Sequence, residues 1–120
     1  MENQIRQFDT GATRDAADTK PDYEAFLSPL VIESFGAYMH KHRLQPDGKL
    51  RDGDNWQKGF GEKHQSVCMK SLWRHFFQVW KIHRGHTVLD DKDGHEVTLE
   101  EACNGVLFNT MGIMHKILEK

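Results

Sequence analysis

Two stretches of the chain carry side chains suited to phosphate and metal chemistry. In Lys70-Ser71-Leu72-Trp73-Arg74-His75, the two cations stand four residues apart. On a helix Lys70 and Arg74 share a face and can hold successive phosphates, the arginine through its forked guanidinium. In Thr98-Leu99-Glu100-Glu101-Ala102-Cys103-Asn104, Glu101 and Asn104 are three residues apart. Two oxygen-bearing side chains one turn apart can contribute to a Mg²⁺ site, because this ion takes carboxylate oxygens and keeps several waters. Each group also has a plainer reading. Lys70 and Arg74 can be a solvated face. Glu101 can be the far half of a capping box that begins at Thr98. His75 borders an aromatic stripe, where a histidine is commonly packed and hydrogen-bonded. Asn104 and Asn109 are mediocre helix formers and need polar partners if buried.

Other chemistries lack their residues. There is no G-x-S-x-G, no Walker loop and no dinucleotide fingerprint. Cys68 and Cys103 occur without a C-x-x-C, and the pairs His40/His42 and His83/His86 lack the partners of a zinc-finger spacing. Both cysteines sit in apolar helical contexts and are expected to be buried, which argues against a Cys-His nucleophile. Two cysteines are too few for a disulfide framework, so a reducing compartment is expected.

The elements that must position these groups are helical. Ser28-Pro29 reads as an N-cap and first helical residue. Leu30, Val31, Phe35, Tyr38, Met39 and His42 follow at spacings of three and four, and the helix is expected to stop near Pro46-Asp47-Gly48. Residues 46–65 read as a long polar loop with four glycines, Gly48, Gly53, Gly59 and Gly61, the kind of loop that is often functional. A second helix is predicted over about 66–84, with Met69, Leu72, Trp73, Phe76, Phe77 and Trp80 as its apolar stripe and Gly85 as a C-cap. Leu89 to Gly94 is a turn-rich connector. A third helix begins after Thr98 and runs to the C-terminus. Along it Ala102, Gly105, Asn109 and Gly112 form a line of small residues. Each helical glycine costs about 1 kcal/mol against alanine, so close approach of another element should offset it. Phe35, Tyr38, Met39, Leu72, Trp73, Phe76, Trp80, Val106, Leu107 and Met114 are the expected core. The reading is one domain over residues 1–120: an irregular segment at 1–22, then a helical core over 23–120.

Composition agrees with a small folded domain. With 38% hydrophobic and 28% charged residues and a net charge of −2, the chain can form one modest core. It lacks the basic excess of a nucleic-acid binder. No apolar run approaches the roughly 18 residues of a membrane span, and the opening lacks the apolar core of a signal peptide. A cytoplasmic protein is expected.

Several stretches, taken together, resemble the phage dATP/dGTP diphosphohydrolase N-terminal family. They are Ile5-Arg6-Gln7-Phe8-Asp9-Thr10-Gly11-Ala12-Thr13-Arg14-Asp15, Lys20-Pro21-Asp22-Tyr23, Leu27-Ser28-Pro29, Asp54-Asn55-Trp56-Gln57-Lys58-Gly59 and Ser71-Leu72-Trp73-Arg74-His75. The resemblance implies an all-α fold, a small bundle of three to four helices with a long functional loop, like the MazG-type nucleoside triphosphate pyrophosphohydrolases. It implies metal-dependent hydrolysis of dATP or dGTP to monophosphate and pyrophosphate in the host cytoplasm. Relatives carry a Glu-x-x-Glu pair on one helix and Glu-x-x-Asp on the next. Here no acidic residue lies between Ser66 and Arg84, and Asn104 stands at the aspartate position.

On that basis Mg²⁺ or Mn²⁺ would be held by Glu101, Asn104 and His75, with His75 and Glu101 the expected catalytic side chains. Lys58, Lys70 and Arg74 would neutralise the triphosphate. Trp56 would stack on the base and Asn55 would read its edge. A domain this small would complete its pocket as a homodimer or larger homo-oligomer. The alternative is a non-catalytic phage accessory protein that binds a nucleotide or a host protein.

Overall fold

The computed structural model describes residues 5–15 and 19–119. Strands β1 (Ile5–Gln7) and β2 (Thr13–Asp15) form an antiparallel hairpin with Arg6 opposite Arg14. Helices α1 (Tyr23–Phe26), α2 (Pro29–Lys41), α3 (His64–His83) and α4 (Leu99–Leu118) follow. The molecule is therefore a small, mostly helical protein, as expected, with a two-stranded sheet added at its N-terminal end. The segment expected to be irregular holds the hairpin. Its turn closes because Gly11 takes a φ of +88° and its N–H donates to Phe8 O.

Local chemistry sets the helix ends. Ser28 Oγ accepts from Val31 N at 3.2 Å, with Pro29 at the first helical position. Thr98 Oγ1 accepts from Glu101 N at 3.1 Å. The Glu101 carboxylate does not close the expected capping box: both its oxygens are turned to His95. α2 stops at Lys41, short of Pro46, because residues 43–51 fold into a small β-like turn with Leu44 paired to Leu50. The presumed loop of 46–65 contains two 3₁₀ helices, Asn55–Lys58 and Gly61–Lys63. The connector before α4 is a tight hairpin in which Val97 N donates to Val88 O and Asp90 N donates to His95 O, both at 2.8 Å.

α3 and α4 pack antiparallel along the small-residue line. A Cβ on Gly105 would lie 2.5 Å from the His75 ring, so that glycine admits the imidazole. Near the other end, Gly112 faces Cys68 and His64. α2 attaches to α4 through Asn104, whose Nδ2 donates to Ser34 Oγ at 3.0 Å, while the Ser34 hydroxyl donates to Glu100. The apolar core proper is small. Val88, Val97 and Ala102 are buried, with Val79 and Ile82 packed against them, and Cys68 is buried further along. Most of the expected core is not inside. Trp73, Phe76, Trp80, Leu107 and Met114 are all exposed, because α3 turns His64, Cys68 and His75 toward α4 and its aromatic stripe the other way. Cys103 is likewise exposed, contrary to expectation.

Candidate functional site

A broad open cleft of about 1140 Å³ runs between the end of α2, the first 3₁₀ helix, the middle of α3 and the 88–97 hairpin. Asn55, Trp56, Lys58, Arg74, His75 and Glu101 all line it. Six residues spread over nearly fifty positions of sequence thus share one cavity. Two others do not. Lys70 lies off the cleft, on the outer shoulder of α3. Asn104 is buried and committed to Ser34, on the α2 side of α4. The expected Glu101–Asn104 metal pair is therefore split, each side chain drawn to a different neighbour.

The cleft carries both signs of charge. Arg43, Arg51, Lys58 and Arg74 line it, together with Asp90, Asp93 and Glu101. The arginines near α2 are held by main chain: Arg43 Nε donates to Arg51 O at 2.6 Å and Arg51 Nη1 donates to His42 O at 2.9 Å. His75 Nδ1–H donates to Gln78 Oε1 at 3.1 Å, which fixes its ring over Gly105. Trp56 is anchored from behind by the His115 ring, 4.8 Å between centroids. A stacking role for Trp56 is thus shared with a structural one.

The acidic side centres on a histidine that the sequence reading passed over. His95 Nδ1 bonds the Asp93 carboxylate and Nε2 bonds both Glu101 oxygens, at 2.9 and 3.0 Å. An imidazole between two carboxylates is most stable as imidazolium. The Asp93 bond, then the Glu101 bond, hold the His95 pKa above its ordinary value. Hydrogen bonds from the His95 backbone and ring hold the Asp93 carboxyl below its usual range. Asp90 completes the group. Its Oδ1 accepts from the amides of Lys92 and Asp93, which shapes the turn. Donor atoms of Asp90, Asp93 and His95 lie within 4.8 Å of one another, a group that could hold a metal ion. Burial, and secondarily the Glu101 charge, raise the pKa of Tyr38, which also lines the cleft.

His64 is the second residue missed. It is buried, accepts from Phe60 N through Nδ1 at 3.1 Å and donates from Nε2 to Gly112 O at 2.9 Å. It ties the loop carrying Trp56 and Lys58 to both long helices. Cys68 lies against the same ring, and burial pushes its thiol pKa up, so it is not a poised nucleophile.

Comparison of the chain with protein-family profiles, functionally characterised proteins and solved structures finds no match. Among the described residues, no helix is long and apolar enough to cross a membrane.

Proposed function

We propose that the chain hydrolyses purine deoxynucleoside triphosphates, dATP or dGTP, to monophosphate and pyrophosphate, with Mg²⁺ or Mn²⁺ as cofactor. The observation that carries this reading is the shared cleft: a cationic set, a carboxylate–imidazole set and His75 line one cavity. The resemblance to a phage nucleotide-pool enzyme supplies the substrate class. Asp90, Asp93 and His95 fit a divalent ion by donor type, with Glu101 one bond away. Carboxylate oxygens with one imidazole suit Mn²⁺ at least as well as Mg²⁺. A metal bound there would polarise the phosphates and lower the pKa of an attacking water.

The chain's own residues supply the rest. Arg74 presents a fork that matches two phosphate oxygens, and Lys58 adds a point charge from the loop that His64 anchors. Asn55, beside Trp56 on the cleft wall, would read a base edge. His75, held by Gln78, is positioned to accept or return a proton.

One observation favours the second reading, a nucleotide-binding accessory protein without turnover. α3 brings no carboxylate to the cleft, so the acidic complement comes from Asp52, the hairpin and Glu101. Incubation with each deoxynucleoside triphosphate and either metal, reading pyrophosphate, separates the two. Release with dATP or dGTP supports hydrolysis. Tight binding by calorimetry with no release from any nucleotide assigns the accessory role.

A further inference from the structure

We infer that the outer face of α3 is covered by a second copy of this chain, paired antiparallel about a twofold axis between Phe76 and Phe77. This stands independently of the reading of the cleft. The stripe Trp73, Phe76, Phe77, Trp80 is 60, 46, 52 and 54% exposed, on the side of α3 away from α4. Scattered surface hydrophobics are normal, but four contiguous large rings on one helix are not. The rings are already ordered for packing. Trp73 meets Phe76 edge-on at 6.0 Å, and Phe77 meets Trp80 edge-on at 5.5 Å.

The spacing identifies the occupant. Trp73 lies three residues before Phe76 and Trp80 three residues after Phe77. Reversing the helix therefore superposes the stripe on itself. That is the requirement of an isologous contact, in which residue i meets j and j meets i. In such a pair Trp73 lies against Trp80 of the second copy and the phenylalanines meet at the axis.

The area is adequate. Rings of this kind bury about 150–250 Å² each, so half-exposed they leave about 400 Å² per copy, and the pair would cover about 800 Å². A standard interface holds roughly 900 Å² of non-polar surface. The monomer is also expanded. Its radius of gyration is 19.8 Å, where a compact chain of this length has about 14 Å.

Lys70, Arg74 and Lys81 share one shoulder of α3 by helical spacing. The twofold brings the two shoulders to the same side, so association should tighten as salt screens their repulsion.

Sedimentation of the native protein at about 100 µM, a concentration that populates even a micromolar dimer, tests this. The expected mass is twice 13.9 kDa. Trp73→Glu and Phe77→Glu should halve it with helicity by circular dichroism unchanged. The milder Trp80→Ala should raise the dimer Kd at least tenfold, and Leu30→Glu on α2 should leave it unaltered. A native monomer at that concentration would overturn the inference, as would charged variants that stay dimeric or a dimer that loosens with salt. A monomer whose tryptophan emission shifts only on phosphatidylcholine–phosphatidylglycerol vesicles would give the face to a membrane surface instead.

Discussion

His95 is the residue on which the electrostatics of the cleft turn. Its pKa is raised by Asp93 and Glu101, so its contribution to stability is fully present below the free imidazole value of about 6.5. That contribution disappears as pH rises through the elevated folded value. Asp93 has the opposite sign: its share is present above the ordinary carboxylate value and is lost as pH falls through the depressed one. Asp93 is well exposed and His95 partly so, and solvent screening keeps the effect small. Melting curves of the native protein and His95→Gln should differ most in mildly acidic buffer and converge toward alkaline pH; parallel curves across that range would remove the bridge. Metal ligation needs the proton gone, so Mn²⁺ affinity should rise with pH and fall at least tenfold in His95→Gln. Glu101 separates structure from chemistry differently. Thr98 caps the Glu101 amide, not its carboxylate, so Glu101→Gln should fold nearly normally. If Glu101 serves the metal, pyrophosphate release should fall by orders of magnitude. Full activity in that variant would take Glu101 out of the mechanism.

At the scale of elements, what the sequence made legible was what neighbours in the chain decide. The Ser28 and Thr98 caps and the line Ala102, Gly105, Asn109, Gly112 all hold as read, because each rests on helical spacing or a three-residue hydrogen bond. Asn104 and Asn109 are buried with partners, Ser34 Oγ and Gly105 O, as burial demanded. His64 was not legible: its acceptor on Gly112 is 48 residues away. The Asp93–His95–Glu101 bridge spans only eight residues, but turn-forming aspartates masked it as a connector. The aromatic stripe was visible, yet amphipathic spacing cannot say whether a face is covered from within the chain or from outside it. The two glycines of α4 now separate cleanly. Gly105→Ala would drive a Cβ to 2.5 Å from His75, so the ring must move, and it should cost stability and disturb the cleft. At Gly112 an added Cβ meets Cys68 Sγ at 3.5 Å, ordinary contact, so Gly112→Ala should be neutral or gain up to about 1 kcal/mol of helix propensity. Denaturant midpoints of the two variants check both; equal shifts would mean the His75 contact carries no constraint.

For the whole molecule, stability and association are one quantity. The buried hydrophobic set of the described residues is Cys68, Val88, Val97 and Ala102, a small core for two 20-residue helices and their loops, enough for a folded monomer of low stability. The N-terminal hairpin adds nothing to this core, since no helix Cα lies within 8 Å of its strands. If a second copy buries the α3 stripe, unfolding is coupled to dissociation, and the native state is favoured by mass action. Each tenfold rise in concentration then adds about 1.4 kcal/mol per dimer. For a transition of this size the Tm should climb by about 3–5 °C per decade. Scanning calorimetry over two decades of concentration reads this directly. The Trp73→Glu protein, with the stripe spoiled, should melt lower and at one temperature throughout. A native Tm independent of concentration would mean that this small core suffices alone and that the aromatic face is idle in solution.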